Sequence, residues 1–425
     1  MTGVAATVLL WPGDRALDFH ALDDPSTYQP AVPVGSDWSD AEVIGDRAYF
    51  ATSDDGAVGV VAVDTESRKQ LWQSTAAGVA DRWSEMVALP GAVALLTETD
   101  YTTSTWRLVV LDGATGTKRW DRQLGGTDDV RFGDGVAVVV DRVGGRLLGL
   151  RLTDGGQAWE QRNTDGATGS TIVPVTTPAD LNGPARVSGR AFAPALDDDR
   201  RIVQIAADRS ARVVDMVTGE VTAGRPEVGY TTDEMIAHDG RLFVQESSSE
   251  RLLAYDLDAM GEPDVLHTVP SGSQADQLTP CGDDRICFVE TAGYDRDKAE
   301  VVAIDAVERT EVWRRAVPGA EALVPVGGAV LAIGAESTTL LGADGAPAWD
   351  AERGVAVRLD AGNVLRFSDT LSTSVGDRTL VGAHVGDEPV QIGLLRDVRS
   401  GTCAWNTSVL ACVTEKGLVI QQFAG

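Results

Sequence analysis

The chain is short of positive charge. Its 425 residues hold 36 Lys and Arg against 64 Asp and Glu, a formal net charge of −28. That balance disfavours nucleic acid, whose proteins gain affinity by neutralising phosphates with cations, and it disfavours an anionic membrane surface for the same reason. The familiar catalytic signatures are missing as well: there is no G-x-S-x-G elbow, no H-E-x-x-H, no P-loop and no G-x-G-x-x-G. Histidine is limited to His20, His238, His267 and His384, and none of these sits in a catalytic setting. No segment keeps a 3.6-residue apolar period over ten or more positions, so long helices are not expected. The apolar run Val4 to Pro12 is too short to span a bilayer, which takes about 20 residues, and no Lys or Arg precedes it as in a signal peptide.

What is present is a repeat. A short apolar run ends in Asp, a polar or glycine turn follows, and a Trp stands eight positions after the Asp. Val60 to Asp64 leads to Trp72, Leu108 to Asp112 leads to Trp120, and Val301 to Asp305 leads to Trp313. Val213 to Gly219 and Leu252 to Asp256 keep the first half of the pattern. Trp159 and Trp349 keep the second half. The runs are too short for helices and rich in β-branched residues, while Asp with Thr-Gly or Gly is turn chemistry, so each copy reads as a β-hairpin. A further short apolar run precedes each hairpin, as at Arg47 to Phe50 and Arg241 to Phe243, which makes about four strands per unit of roughly 35 to 50 residues. That is the size of a β-propeller blade.

An all-β chain is expected, a propeller of four-stranded antiparallel blades. Units can be marked from 37 to 75 onward, eight or nine in all, and eight blades are expected. The segment 163–190 reads as an inserted loop between units. The last unit supplies three strands and then stops, so residues 1–36, including Ala16 to Phe19, are expected to donate its outer strand and close the ring formed by 37–425. A ring left open would expose a long strand edge.

The Val-x-Ala-Val/Ile-Asp…Trp pattern resembles the tryptophan-docking repeat of pyrroloquinoline-quinone-type (quinoprotein-like) propellers, over about 37–423. The resemblance implies that Asp64, Trp72, Asp112, Trp120, Trp159, Asp305, Trp313 and Trp349 are structural, with each Trp packed between neighbouring blades. It speaks to fold more than to activity. Quinoprotein dehydrogenases of this family use calcium ligands that include Asn, and often a disulfide between adjacent cysteines. This sequence has no adjacent Cys pair, and its only asparagines are Asn163, Asn182, Asn363 and Asn406. It is more similar to the non-enzymatic branch, which includes the propeller lipoprotein of the outer-membrane β-barrel assembly machinery and the sensor propellers of bacterial receptor kinases.

The four cysteines fall in two pairs around turns, Cys281 with Cys287 and Cys403 with Cys412. Two local disulfides are favoured, because neighbouring antiparallel strands bring such positions within reach. Free buried thiols and a zinc site are the alternatives, the latter against the usual ligand spacing. Disulfides point to an oxidising compartment. An exported monomer tethered by an N-terminal anchor is therefore expected.

Asp54-Asp55, Asp197 to Asp199, Asp283-Asp284 and Asp295 with Asp297 lie in expected turns, where Asp serves the backbone. Asp197 to Asp199 is the best of them for calcium. No catalytic, cofactor-binding or metal residues are assigned, and no cofactor is expected. Tyr101, Tyr230 and Tyr294 are candidate anchors on a ligand face, whereas Trp106 reads as blade packing. The expected function is an extracytoplasmic scaffold or sensor that binds protein or cell-envelope ligands. The alternatives are a quinone-dependent dehydrogenase with an atypical site, and a hydrolase or lyase using channel carboxylates.

Overall fold

The computed structural model describes residues 15–36, 38–97, 105–133, 135–163, 169–185, 199–293, 295–335 and 337–425. The expected anchor run, Val4 to Pro12, lies outside the described residues. Among those described, thirty-six strands and three short 3-10 turns make up the regular structure. Seven sheets have four strands each and one has eight. The larger sheet is two four-strand units joined only where Val175 and Thr176 run parallel to Ala237 and His238. Nine four-strand units thus follow one another: 39–74, 83–125, 129–162, 170–225, 234–268, 273–316, 320–353, 355–399 and 404–422. They are called blades 1 to 9. In blades 1 to 8 the first strand lies innermost and the fourth outermost, and every neighbour within a blade is antiparallel, as the pairings of blade 1 show.

The count is one more than the eight expected. Merging weak units would require a ladder running from blade 8 into blade 9. Instead, Val355–Arg358, Asn363–Phe367, Val375–His384 and Val390–Arg399 complete a four-strand ladder of their own.

The core is a circle of interfaces rather than one mass. Alternate side chains of each blade face its two neighbours, as period-2 strands dictate. Val60 and Ala62 of blade 1 pack with Met86 and Leu95 of blade 2, and the series continues until Phe50 and Val61 of blade 1 meet Ala411 and Ile420 of blade 9. Closure comes from the N-terminal segment: Ser26–Tyr28 forms the outer strand of blade 9, with Ser26 opposite Ile420 and Tyr28 opposite Leu418. Phe19 bridges to Ala424 and lies 6.4 Å from the Phe423 ring. Arg68 of blade 1 reaches Asp23 at 3.1 Å and the Ile420 carbonyl at 3.1 Å, pinning the strap across the join.

The stretch read as a loop between units differs. Ser170–Thr176 within it is the inner strand of blade 4, and the insertion follows that strand instead of preceding the blade. Pro174 disguised it, since Pro inside an apolar run argues against a ladder. An innermost strand is an edge strand, and there a missing N–H is tolerated.

Candidate functional site

Four tryptophans dock in one way. The indole N–H of Trp72 donates to the Gly113 carbonyl at 3.0 Å, Trp120 to Leu152 at 3.0 Å, Trp159 to Met216 at 2.9 Å and Trp313 to Ala343 at 3.0 Å. Each acceptor lies in the turn between the third and fourth strands of the next blade, and each ring lies on a glycine of that turn. A Cβ on Gly155 would stand 2.7 Å from the Trp120 ring, and one on Gly219 or Gly345 2.5 Å from Trp159 or Trp313. Gly116 stands against Trp72 in the same way. The Asp that opens the turn holds its shape: Asp112 Oδ1 accepts the Ala114 and Thr115 N–H groups, and Asp305 Oδ1 those of Val307 and Glu308. Asp64 accepts the N–H and hydroxyl of Ser67, and these bonds hold its carboxyl below the usual range.

Where the Trp is lost, the glycine is lost too. In blade 4 the position belongs to Ala223, and the facing turn of blade 5 carries Met260, buried in the same cluster at φ 46°. In blade 5 the position falls to Leu266, and the facing turn of blade 6 carries Arg309 at φ 59°, paired with Asp264 at 2.8 Å. Trp349 has no such turn to meet in blade 8; its indole N–H is buried without an acceptor, and Arg366 lies 5.7 Å over its ring.

Cys281 is bonded to Cys287 and Cys403 to Cys412, with Cα atoms 5.8 Å and 4.2 Å apart. Asp283 and Asp284 lie in the turn inside the first bridge. Asp199 is bound to Arg201 at 2.6 Å, while Asp197 and Asp198 fall outside the described residues. Asp295 caps a 3-10 turn through the Asp297 N–H. Among the described residues, no group of three or more His, Cys, Asp or Glu is placed to hold a metal ion. His267 bonds to Glu290 at 2.8 Å, and His238 to the Thr176 hydroxyl at 2.9 Å. Trp106 donates to the Gly126 carbonyl at 2.8 Å. Tyr230 is 42% exposed with the Arg209 guanidinium 4.6 Å over its ring. Tyr101 and Tyr294 lie outside the described residues.

Sequence reasoning missed two features of the ring. The first is at the channel, where residues 177–185 leave the inner strand of blade 4 and reach blades 7 and 8 on the far side. Ala185 N–H donates to the Arg358 carbonyl at 3.0 Å, and the Arg358 guanidinium donates to Gly183 and Pro325 carbonyls, each at 2.8 Å. The segment therefore crosses the channel and is clamped by a buried arginine. Burial pulls the Arg358 pKa down to about 10, against the upward pull of Asp180 and Asp360. Asp360 in turn accepts from Asn363, which bonds to the backbone of Arg15 and Leu17.

The second feature is a groove of about 480 Å3 between blades 5 and 6, on the face that carries the turns joining second to third strands. Its wall includes Asp233, Glu234, Gln245, Ser247, Glu250 and Asp276, with no Lys, Arg or His. Glu234 spans the blade junction, accepting the Gln277 N–H at 2.9 Å and the Leu278 N–H at 2.7 Å. Burial raises its pKa, more than those bonds lower it. The only hint in sequence was a Glu at the head of an otherwise apolar inner strand, Glu234–His238.

Residues 54–183 match the family model described as outer membrane protein assembly factor BamB. The chain carries PQQ-like β-propeller repeats. No curated protein matches it. Among solved structures, the propeller is similar to BamB from Moraxella catarrhalis, at 15% identity and a TM-score of 0.46, over 94% of this chain and 98% of that one. It is also similar to the computationally designed Ika8 protein, at 13% identity and a TM-score of 0.49, over 80% of this chain and 96% of that one. A europium-containing methanol dehydrogenase shares 12% identity at a TM-score of 0.44, over 80% of this chain and 84% of that one.

Proposed function

We propose that this propeller is a non-catalytic scaffold or sensor that binds protein or cell-envelope ligands outside the cytoplasm. The observation that carries the reading is the match of residues 54–183 to the outer-membrane assembly-factor family. Two features support it. Both local disulfides suit an oxidising compartment, and the channel is crossed by the chain's own segment, which leaves the two loop-bearing faces as the broad surfaces on offer. An N-terminal tether and a monomeric ring belong to the same proposal, as does a place for Tyr230 on the ligand face.

The test has two arms. Photo-crosslinking residues placed on either face of the ring, in cells, are expected to yield discrete protein adducts from one face only. Reconstitution with pyrroloquinoline quinone and calcium, followed by dye-linked oxidation of alcohols and sugars, is expected to give no turnover. Turnover would overturn the scaffold reading in favour of a quinone-dependent dehydrogenase.

A further inference from the structure

The groove between blades 5 and 6 holds a polar group that the fold leaves unused. Gln245 pairs with Glu234 across the first and second strands of blade 5. It is only 7% exposed, and its amide oxygen has no hydrogen-bond donor. Buried acceptors are nearly always satisfied, so an orphan on a cavity wall marks a place where a donor arrives from outside.

The surrounding charge says which donor. Asp233 spends its oxygens on the Tyr230 N–H at 2.8 Å and on the Ser247 hydroxyl at 2.6 Å, and Glu234 on two backbone N–H groups. Asp276 is met by Arg296, whose guanidinium bonds to both its oxygens. Glu250 is exposed at the mouth. Four carboxylates thus face the cavity and one guanidinium answers them. Neutral donors fix the position of Asp233 and Glu234 without cancelling their charge, and burial keeps the ionised form of Glu234 costly until a cation arrives. A bare metal ion is a poor fit, since the described residues hold no cluster with metal-binding placement. An organic cation with several N–H donors matches both the charge and the orphan oxygen.

We propose that the groove between blades 5 and 6 is a recognition pocket for a lysine or arginine side chain of an extended segment in a protein partner, with Glu234 and Asp233 opposing its charge and Gln245 accepting one of its N–H donors. At about 480 Å3 the cavity exceeds one side chain, leaving room for flanking backbone. Tyr230, next to Asp233 and covered by Arg209, offers an adjoining apolar platform. The pocket rests on the scaffold reading and gives it a ligand chemistry.

The experiment uses the full chain and the pentapeptides Gly-Ser-Lys-Ser-Gly and Gly-Ser-Arg-Ser-Gly, with a norleucine analogue and spermidine as comparisons, measured by titration calorimetry and NMR. Saturable binding of the lysine or arginine peptide is expected, at least about tenfold weaker with norleucine and weaker in higher salt. Gln245→Leu and Glu234→Gln are expected to weaken it at least about fivefold. Glu250→Lys, at an exposed position that does not threaten folding, is expected to abolish it by placing an ammonium in the mouth. Equal binding of the norleucine peptide, no binding of either basic peptide by folded protein, indifference to all three substitutions, or binding of spermidine alone would each overturn the proposal. Cellular crosslinks keep the two ideas apart: adducts from elsewhere on the ring beside a silent pocket sink this inference and spare the scaffold. Peptide binding without any adduct does the reverse.

Discussion

The exchange of Trp and Gly for Ala and Met at successive junctions can be transplanted. Trp72 and Gly116 meet between blades 1 and 2, whereas Ala223 and Met260 hold the same positions between blades 4 and 5. Gly116→Met alone puts a side chain at φ 70°, which costs about 1–2 kcal/mol, and drives its Cβ into the indole. Displacing that ring forfeits its packing, about 3–5 kcal/mol by analogy with truncation of a buried Trp. Trp72→Ala alone should cost about the same 3–5 kcal/mol and leave a void above Gly116. In the double variant Met fills the void, as Met260 does below Ala223, so only the backbone penalty and the lost indole bond remain, about 2–3 kcal/mol together. The expected coupling is therefore at least about 3 kcal/mol in favour of the double variant. Guanidinium unfolding of the four proteins, followed by far-ultraviolet circular dichroism so that loss of a Trp does not alter the probe, measures it. Costs that add to within about 0.5 kcal/mol would refute the idea that ring and glycine are one unit.

Four further outcomes follow from the same geometry. Trp349→Phe removes an indole N–H that has no acceptor and should cost less than about 0.5 kcal/mol, whereas Trp120→Phe leaves the Leu152 carbonyl unpaired and should cost about 1–3 kcal/mol in the same unfolding assay. Replacing Cys403 and Cys412 by Ser opens a loop closed across nine positions and should lower stability by about 2–3 kcal/mol, with reductant reproducing the loss in the native chain but adding nothing to the variant. Arg358→Ala should raise hydrogen exchange at Ala185 by roughly tenfold or more while the blade strands keep their protection; unchanged exchange at Ala185 would mean that the channel segment is held by something else. Hydrogen bonds from Arg119 and Thr115 hold the Asp112 carboxyl below its usual pKa of 3.8, so its contribution is present above that value and lost as pH falls through the depressed one. Asp112→Asn should therefore make acid unfolding between about pH 4 and 2 less steep.

What could be read in the sequence was what repeats within one blade. Asp112, Gly116 and Trp120 sit within nine consecutive positions, and a turn that must expose a carbonyl and a bare Cα to a neighbour's indole leaves its mark on residue type. The closing strand was legible for a different reason: blade 9 lacked a partner for Leu418–Gln422, and an unpaired edge is a debt the chain must settle. Blade 8 was harder. It carries neither the Asp turn nor the Trp, and its long strands Val375–His384 and Val390–Arg399 pair through two register shifts, so nothing periodic separated it from blade 9. The expected eight blades came from that silence.

The channel segment and the groove left no comparable mark, because each is assembled by residues from different blades with nothing unusual in type. Arg358 stands 175 positions from Gly183, and a lone arginine at the end of an apolar strand reads as a surface charge until the segment that buries it is known. Glu234 and the backbone it engages lie 43 and 44 positions apart, about one blade repeat. That spacing is what a junction contact requires, but it is shared by every pair of residues in neighbouring blades and therefore singles out none. The physical distinction lies in what is left over. A junction built only for stability would satisfy its buried groups, as the Trp docks do, while the wall beside Glu234 retains four carboxylates and an unused amide oxygen. Repetition shows where the chain is solving a packing problem common to all its blades, and the groove stands out because its polar groups answer no such problem.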